Sequence, residues 1–280
     1  MFTQRMQPLR FQHPRQNQRG ISLIVVIVFV MLSMLLALWA SRTSMFNEMV
    51  VGNDADYQRA FEAAQALLLD AELDIRGEKA DGSDCRVPTA TACRFGRTNQ
   101  AQIPLEAKEA AALLAQLEGI TTGPRCIDAL CLKRPGRQDF WNNTGSTADV
   151  TTQGEDVSLE QMMASADGNR IGARYGQYSG ADAGSASNPI LQIGNKGADA
   201  TRNNEGGWYW IEVLPYDSDA DKSRLIAGGA SNLPLNLQPS VVYRITAVAH
   251  GRKLKTEGGS DVPITRVVLQ QTYARQKLVD

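Results

Sequence analysis

Few residues of this 280-residue chain could do covalent or coordination chemistry, and the four cysteines come first. Cys85, Cys93, Cys126 and Cys131 are an even set, and in an exported chain such thiols oxidise to disulfides that persist. Three connectivities are possible. The two local pairs, Cys85 with Cys93 and Cys126 with Cys131, are favoured because each encloses a short segment that holds or adjoins Gly or Pro. Zinc is the competing chemistry. Neither spacing is the short C-x-x-C knuckle, however, and His13 and His250 stand far off in sequence.

The remaining candidates are weaker. Asp217, Asp219 and Asp221 alternate as in a calcium loop, but Lys222 stands where that loop needs Gly and no Glu closes it six residues later. Gly206-Gly207 reads as a turn feeding a strand, since no Lys or helix start follows to make a phosphate cradle. Trp208, Tyr209 and Trp210 alternate across a strand, so two can be core while one faces out. After Gly20 the only histidine is His250, so a Ser/His/Asp set lacks its base. No paired-carboxylate motif is present either. The expectation is a non-enzymatic chain without cofactor or metal.

The elements that would carry these residues begin with residues 21–40, ISLIVVIVFVMLSMLLALWA, twenty residues without charge, Pro or Gly. That is the length needed to cross a bilayer's hydrocarbon core. Arg5, Arg10, Arg15 and Arg19 precede it with no acid among them, which puts the N-terminus in the cytoplasm and everything after Arg42 outside. Without those first 20 residues the chain keeps 25 basic against 30 acidic groups, a net −5. A mildly acidic exported part has no electrostatic reason to hold nucleic acid.

Past the span the pattern becomes amphipathic. Met49, Val50, Tyr57, Ala60, Phe61, Ala64, Leu67, Leu68, Ala71 and Ile75 recur at three- and four-residue steps, giving one apolar face. Arg59, Glu62, Asp70 and Asp74 fall on the other. One helix through residues 21–75 would be about 80 Å long, its first half in lipid or a filament core and its second against a globular head. Gly52-Asn53-Asp54 is the expected bend or melting point between the halves.

In the head, residues 76–100 read as a loop closed by the first cysteine pair, and residues 103–117 as a short alanine-rich helix. Residues 142–204 are dominated by Gly, Asn, Asp, Ser and Ala; such a stretch builds no core of its own and either drapes over one as loops and short strands or is partly disordered. Residues 208–214, 241–248 and 265–273 are strand-like by aromatic and β-branched content. Three strands from one region, joined by Gly/Pro-containing loops, favour an antiparallel sheet, the natural partner of the amphipathic half-helix. The fold class is therefore α+β.

The N-terminal segment from Arg19 resembles that of PilX-type minor pilins of type IV pili. Arg42-Thr43-Ser44, Glu48-Met49, Gly52-Asn53 and Ala60-Phe61-Glu62-Ala63-Ala64 carry the resemblance. Tyr243-Arg244-Ile245-Thr246-Ala247 and the stretch from Val267 to Tyr273 are similar to that family's C-terminal strands; the middle of the chain carries no resemblance. The resemblance implies a leader, residues 1–20, cut by a prepilin peptidase between Gly20 and Ile21, with methylation of the new amine. It implies a membrane and filament-core helix over residues 21–41, an amphipathic half over 42–76 and a pilin head over 77–280. It implies assembly roles for Val25, Arg42 and Phe61, and a helix laid on an antiparallel sheet. The implied partners are major and minor pilins, the inner-membrane assembly machinery, membrane lipid before assembly and a large tip adhesin.

One departure bears on position in the filament. Most pilins have Glu as the fifth mature residue, where it neutralises a neighbour's N-terminal amine in an apolar core; here that place holds Val25. An uncompensated buried charge is costly, so the resemblance is to tip and initiation subunits rather than to the shaft. The expected function is initiation of pili that serve adhesion and twitching motility. Two other readings are a tip-exposed adhesin using residues 142–204 and an unrelated single-pass anchored periplasmic protein.

Overall fold

A computed structural model describes residues 21–87, 93–97, 100–121, 123–134, 138–143, 157–166, 169–181, 206–215, 241–257 and 260–275. The leader with Gly20, the Asp217, Asp219 and Asp221 loop, and most of residues 142–204 lie outside these. Three helices are described: α1 (Ile21–Arg76), α2 (Ala107–Glu118) and α3 (Leu159–Met163). Nine strands follow in chain order: β1 (Cys126–Ile127), β2 (Leu130–Leu132), β3 (Ser165–Ala166), β4 (Asn169–Arg170), β5 (Gly207–Pro215), β6 (Val241–His250), β7 (Leu254–Glu257), β8 (Ser260–Pro263) and β9 (Arg266–Ala274).

The chain divides into two compact units, one ending at Asn53 and one beginning at Asp54. Helix α1 belongs to both, and it stays helical through Gly52, Asn53 and Asp54. The melting expected there does not occur. A mid-helix glycine costs only about 1 kcal/mol, less than opening two new ends with their unsatisfied backbone groups.

In the second unit the sheet order is β1-β2-β5-β6-β9. β5, β6 and β9 are the three strands read from the sequence, and they pair antiparallel. The sheet as a whole is mixed, because β2 lies parallel to β5. β2 arrives from a tight hairpin whose turn residues, Asp128 and Ala129, both have positive φ, 51° and 67°, as a two-residue hairpin turn requires. The Cys126–Cys131 disulfide spans this hairpin.

One face of the sheet takes the second part of α1. Ala60, Ala63, Ala64, Leu67, Ala71 and Ile75 are buried with Tyr209, Ile211, Val213, Tyr243, Ile245, Ala247 and Ala249, and α2 adds Ala110, Leu113 and Leu117. Small alanines let the helix axis approach the strands closely. α2 starts four residues later than the expected 103, because Ile103 precedes Pro104 and is pushed to extended backbone. The Glu109 carboxylate accepts from the Leu105 N–H at 2.7 Å, and the Tyr243 hydroxyl donates to the Pro104 carbonyl.

The opposite face is covered too, which overturns one expectation. Trp208, Tyr209 and Trp210 are 4, 0 and 1 % exposed, so no ring faces out. Tyr209 points to α1. Trp208 and Trp210 point into a second cluster with Phe140, Val157, Leu159, Met162, Met163 and Ile171. α3 provides that cover from within residues 142–204, where the sequence reading expects no helix. A reciprocal cap starts it: the Ser158 hydroxyl accepts from the Gln161 N–H at 3.2 Å and the Gln161 side chain accepts from the Ser158 N–H at 3.0 Å.

Candidate functional site

Along the first unit the side chains of α1 have no cover. Its best 18-residue window has mean hydropathy 3.1 and is 0 % buried; Ile21 and Trp39 are 70 and 72 % exposed. Bare apolar surface costs roughly 25 cal/mol per Å² in water, so this length of helix demands lipid or other apolar helices. Its hydroxyls are compatible with that. Ser33 donates to the Val30 carbonyl at 2.9 Å and, just beyond the span, Thr43 to the Trp39 carbonyl at 3.0 Å. Each is thereby satisfied within its own helix.

Val25 lies on this surface at 47 % exposure, an apolar residue among apolar neighbours. Arg42 is exposed and is the first charge after Ile21. Met49 and Val50, expected on the sheet-facing stripe, belong to the first unit and are 55 and 66 % exposed. Phe61 lies in the second unit, half-buried against the main core and stacked with Tyr57, ring centroids 6.4 Å apart.

Of the four residues expected off the apolar face of α1, Arg59 and Glu62 are exposed but Asp70 and Asp74 are not. Asp70 and Asp74 are 1 and 2 % exposed, and each meets charge or donors from a distant loop. Arg94, next to Cys93 of the Cys85–Cys93 disulfide, donates to Asp74 through Nε at 2.9 Å and Nη2 at 2.7 Å. Its guanidinium also stacks 3.7 Å from the Tyr178 ring centroid. Burial works against the Arg94 cation, but the Asp74 charge and hydrogen bonds outweigh it and raise its pKa. Asp70 accepts from the Gly176 N–H at 2.8 Å and from the Ser179 hydroxyl. Burial pushes its carboxyl up to about 7, the Asp74 charge adds to this, and the bonds from Ser179 and Gly176 oppose it. Asp56, one turn-multiple back, accepts from the Arg252 N–H at 2.8 Å. Asp56, Asp70 and Asp74 thus share a helix face and tie three separate segments to it. Their spacing by whole helical turns is the signal that the sequence carried.

On the far side of the sheet Glu212 receives Arg244 at 2.5 Å and Arg134 at 3.6 Å. These clusters hold the head together. Among the described residues no group of three His, Cys, Asp or Glu is placed to hold a metal ion. What the arrangement offers is a bare apolar helix that continues into a head packed on both faces of its sheet. Of the two residues expected to flank a processing site, Ile21 begins α1 and Gly20 lies outside the described residues.

Such a helix and head define a membrane-anchored filament subunit of the pilin kind. The PilX N-terminal family model matches residues 19–68, and the model for the type IV pilus assembly protein PilX C-terminal region matches residues 127–275. The chain belongs to the PilX family and is a minor pilin of type IV pilus assembly, a structural component that interacts with other pilins. The C-terminal match includes the middle segment, which on sequence reading carried no resemblance. No curated protein and no solved structure matches the chain.

Proposed function

We propose that this minor pilin acts at or near the filament tip, in the initiation of type IV pili, and thereby supports adhesion and twitching motility. The observation that carries the proposal is Val25, an uncharged residue on an apolar helix surface at the place where a shaft subunit supplies a carboxylate. In a shaft the missing partner would recur at every layer and leave an amine uncompensated in an apolar core. At a tip the contact is made once, on one side, and the defect is tolerated. The prepilin peptidase cuts between Gly20 and Ile21, the amine is methylated, and the head stands in the periplasm before assembly and at the cell surface after it. Arg42 marks the outer lipid boundary, and Phe61 belongs to the packed end of the helix. The partners are major and minor pilins, the inner-membrane machinery and a large tip adhesin.

Two measurements test this. Deletion should lower the number of filaments per cell while leaving the remaining shafts as strong as before, and V25E should not be needed for, or improve, initiation. A wild-type count of filaments that break easily contradicts the proposal. Intact mass of the membrane-extracted protein should start at methylated Ile21; a mass starting at Met1 contradicts the processing step.

A further inference from the structure

The sheet has two edges, and they are protected unequally. One is β1, two residues long and stapled by the Cys126–Cys131 bridge. The other is β9, nine residues in unbroken register with β6 from His250–Arg266 to Val242–Ala274. Past Arg266 it holds no charge, Pro or Gly. Long, flat, uncharged edges are templates for strand addition, and proteins otherwise blunt them.

The register says which groups are free. The Gly251 N–H donates to the Thr265 carbonyl at 2.8 Å, and the same pairing phase recurs at Ala249–Val267, Ala247–Leu269, Ile245–Gln271 and Tyr243–Tyr273. Alternation along an antiparallel ladder therefore turns the backbone groups of Val268, Gln270 and Thr272 outward. Among the described residues none pairs with them, and Gln270 and Thr272 are exposed.

The direction of β9 says what can dock. It begins after Thr265, which with Asp56 crowds Gly251, and ends beside Glu72, to which the Gln271 side chain donates at 2.7 Å. It runs as α1 runs, away from Asp54. An antiparallel β9–β9 pair between two copies would set the Asp54 ends of the two heads at opposite ends of the joined sheet, although both chains enter their heads there from the same membrane. A parallel pair would place the two α1 helices on opposite sides of the joined sheet, whereas filament subunits meet through their helices. A strand of another pilin head running toward the membrane has neither conflict.

We propose that the β9 edge binds, by antiparallel strand addition, an extended edge segment of a different pilin-type head in the same assembly. The proposal rests on the pilus-assembly reading above. The test uses the full-length protein in its own cells with the photo-crosslinker p-benzoylphenylalanine at Gln270 or Thr272, and at Gln116 on the exposed side of α2 as control. Crosslinks from 270 and 272, not 116, to a strand of a different pilin subunit are expected on mass-spectrometric mapping. T272P removes an outward N–H while sparing the β6 ladder, so it should cut filament number at least tenfold with the protein level unchanged, and T272A should not. Crosslinks only to a second copy, none to any pilin, or wild-type filament number in a normally abundant T272P overturn the proposal. If T272P lowers the protein level, the crosslinks decide alone. A deletion strain with unchanged filament number would instead refute the pilus-initiation reading itself.

Discussion

Asp74 of the long helix and Arg94, the residue after Cys93 of the first disulfide, form an ion pair at 2.7 Å with side chains 1 and 0 % exposed. Twenty residues separate them in sequence, and the bond joins the end of α1 to the residue after the loop that the Cys85–Cys93 bridge closes. Removing one partner leaves a buried charge with none. D74A or R94A should therefore each cost about 3–5 kcal/mol. Chemical denaturation of the detergent-solubilised chain reads this as a lowered midpoint. Replacing both with apolar residues of similar volume should cost less than either single change.

Asp70 makes stability depend on pH in the direction opposite to an ordinary paired carboxylate. Its folded pKa is raised from 3.8 to about 7, so the folded protein keeps a proton that the unfolded chain has lost. Across roughly pH 4 to 7 the folded state binds more protons, and stability falls as pH rises. Above about 7 this contribution is flat and unfavourable. D70N should raise Tm at pH 8 and flatten the slope between pH 5 and 7, as measured by thermal unfolding across that range.

Each disulfide closes a short loop, with sequence separations of 8 and 5. By loop-closure entropy each should contribute about 2 kcal/mol, the first slightly more. Paired Cys→Ser variants should show these losses in denaturant midpoints. Protein isolated without reductant should have no free thiol by alkylation and mass spectrometry.

Legibility in the sequence followed the range of the interaction. β5, β6 and β9 could be read because their alternation is local, and the apolar run of α1 needs only its own residues. The parallel β2–β5 pair could not, since a three-residue strand inside a cysteine hairpin has no periodicity to display. Asp70 and Asp74 were misplaced for a related reason. The sequence reading sets them with Arg59 and Glu62, although they follow Leu67 and Ala71 by three residues, and the groups that bury them, Gly176, Ser179 and Arg94, are distant in sequence. The outward aromatic expected among Trp208, Tyr209 and Trp210 failed because Met162 arrives from a Gly- and Asn-rich segment with little apolar content and Phe140 from just before it.

That second core layer is tightly fitted. The Trp210 indole N–H donates to the Met162 carbonyl at 3.0 Å, and its ring meets Phe140 edge-on at 5.0 Å. A Cβ at Gly172 would stand 2.6 Å from Trp210 Nε1. G172A should force the indole out of place, costing about 1–3 kcal/mol as overpacking does. A red-shifted Trp emission with a lowered Tm would report it, while W210A should cost about 3–5 kcal/mol.

The most direct test of a tip and initiation role is the position of this subunit on the filament. Sheared pili labelled with gold-conjugated antibody against the head should carry label at one end, a few particles per filament, at a small fraction of major-pilin abundance. Label spaced regularly along the shaft at abundance near that of the major pilin would contradict the role inferred from Val25.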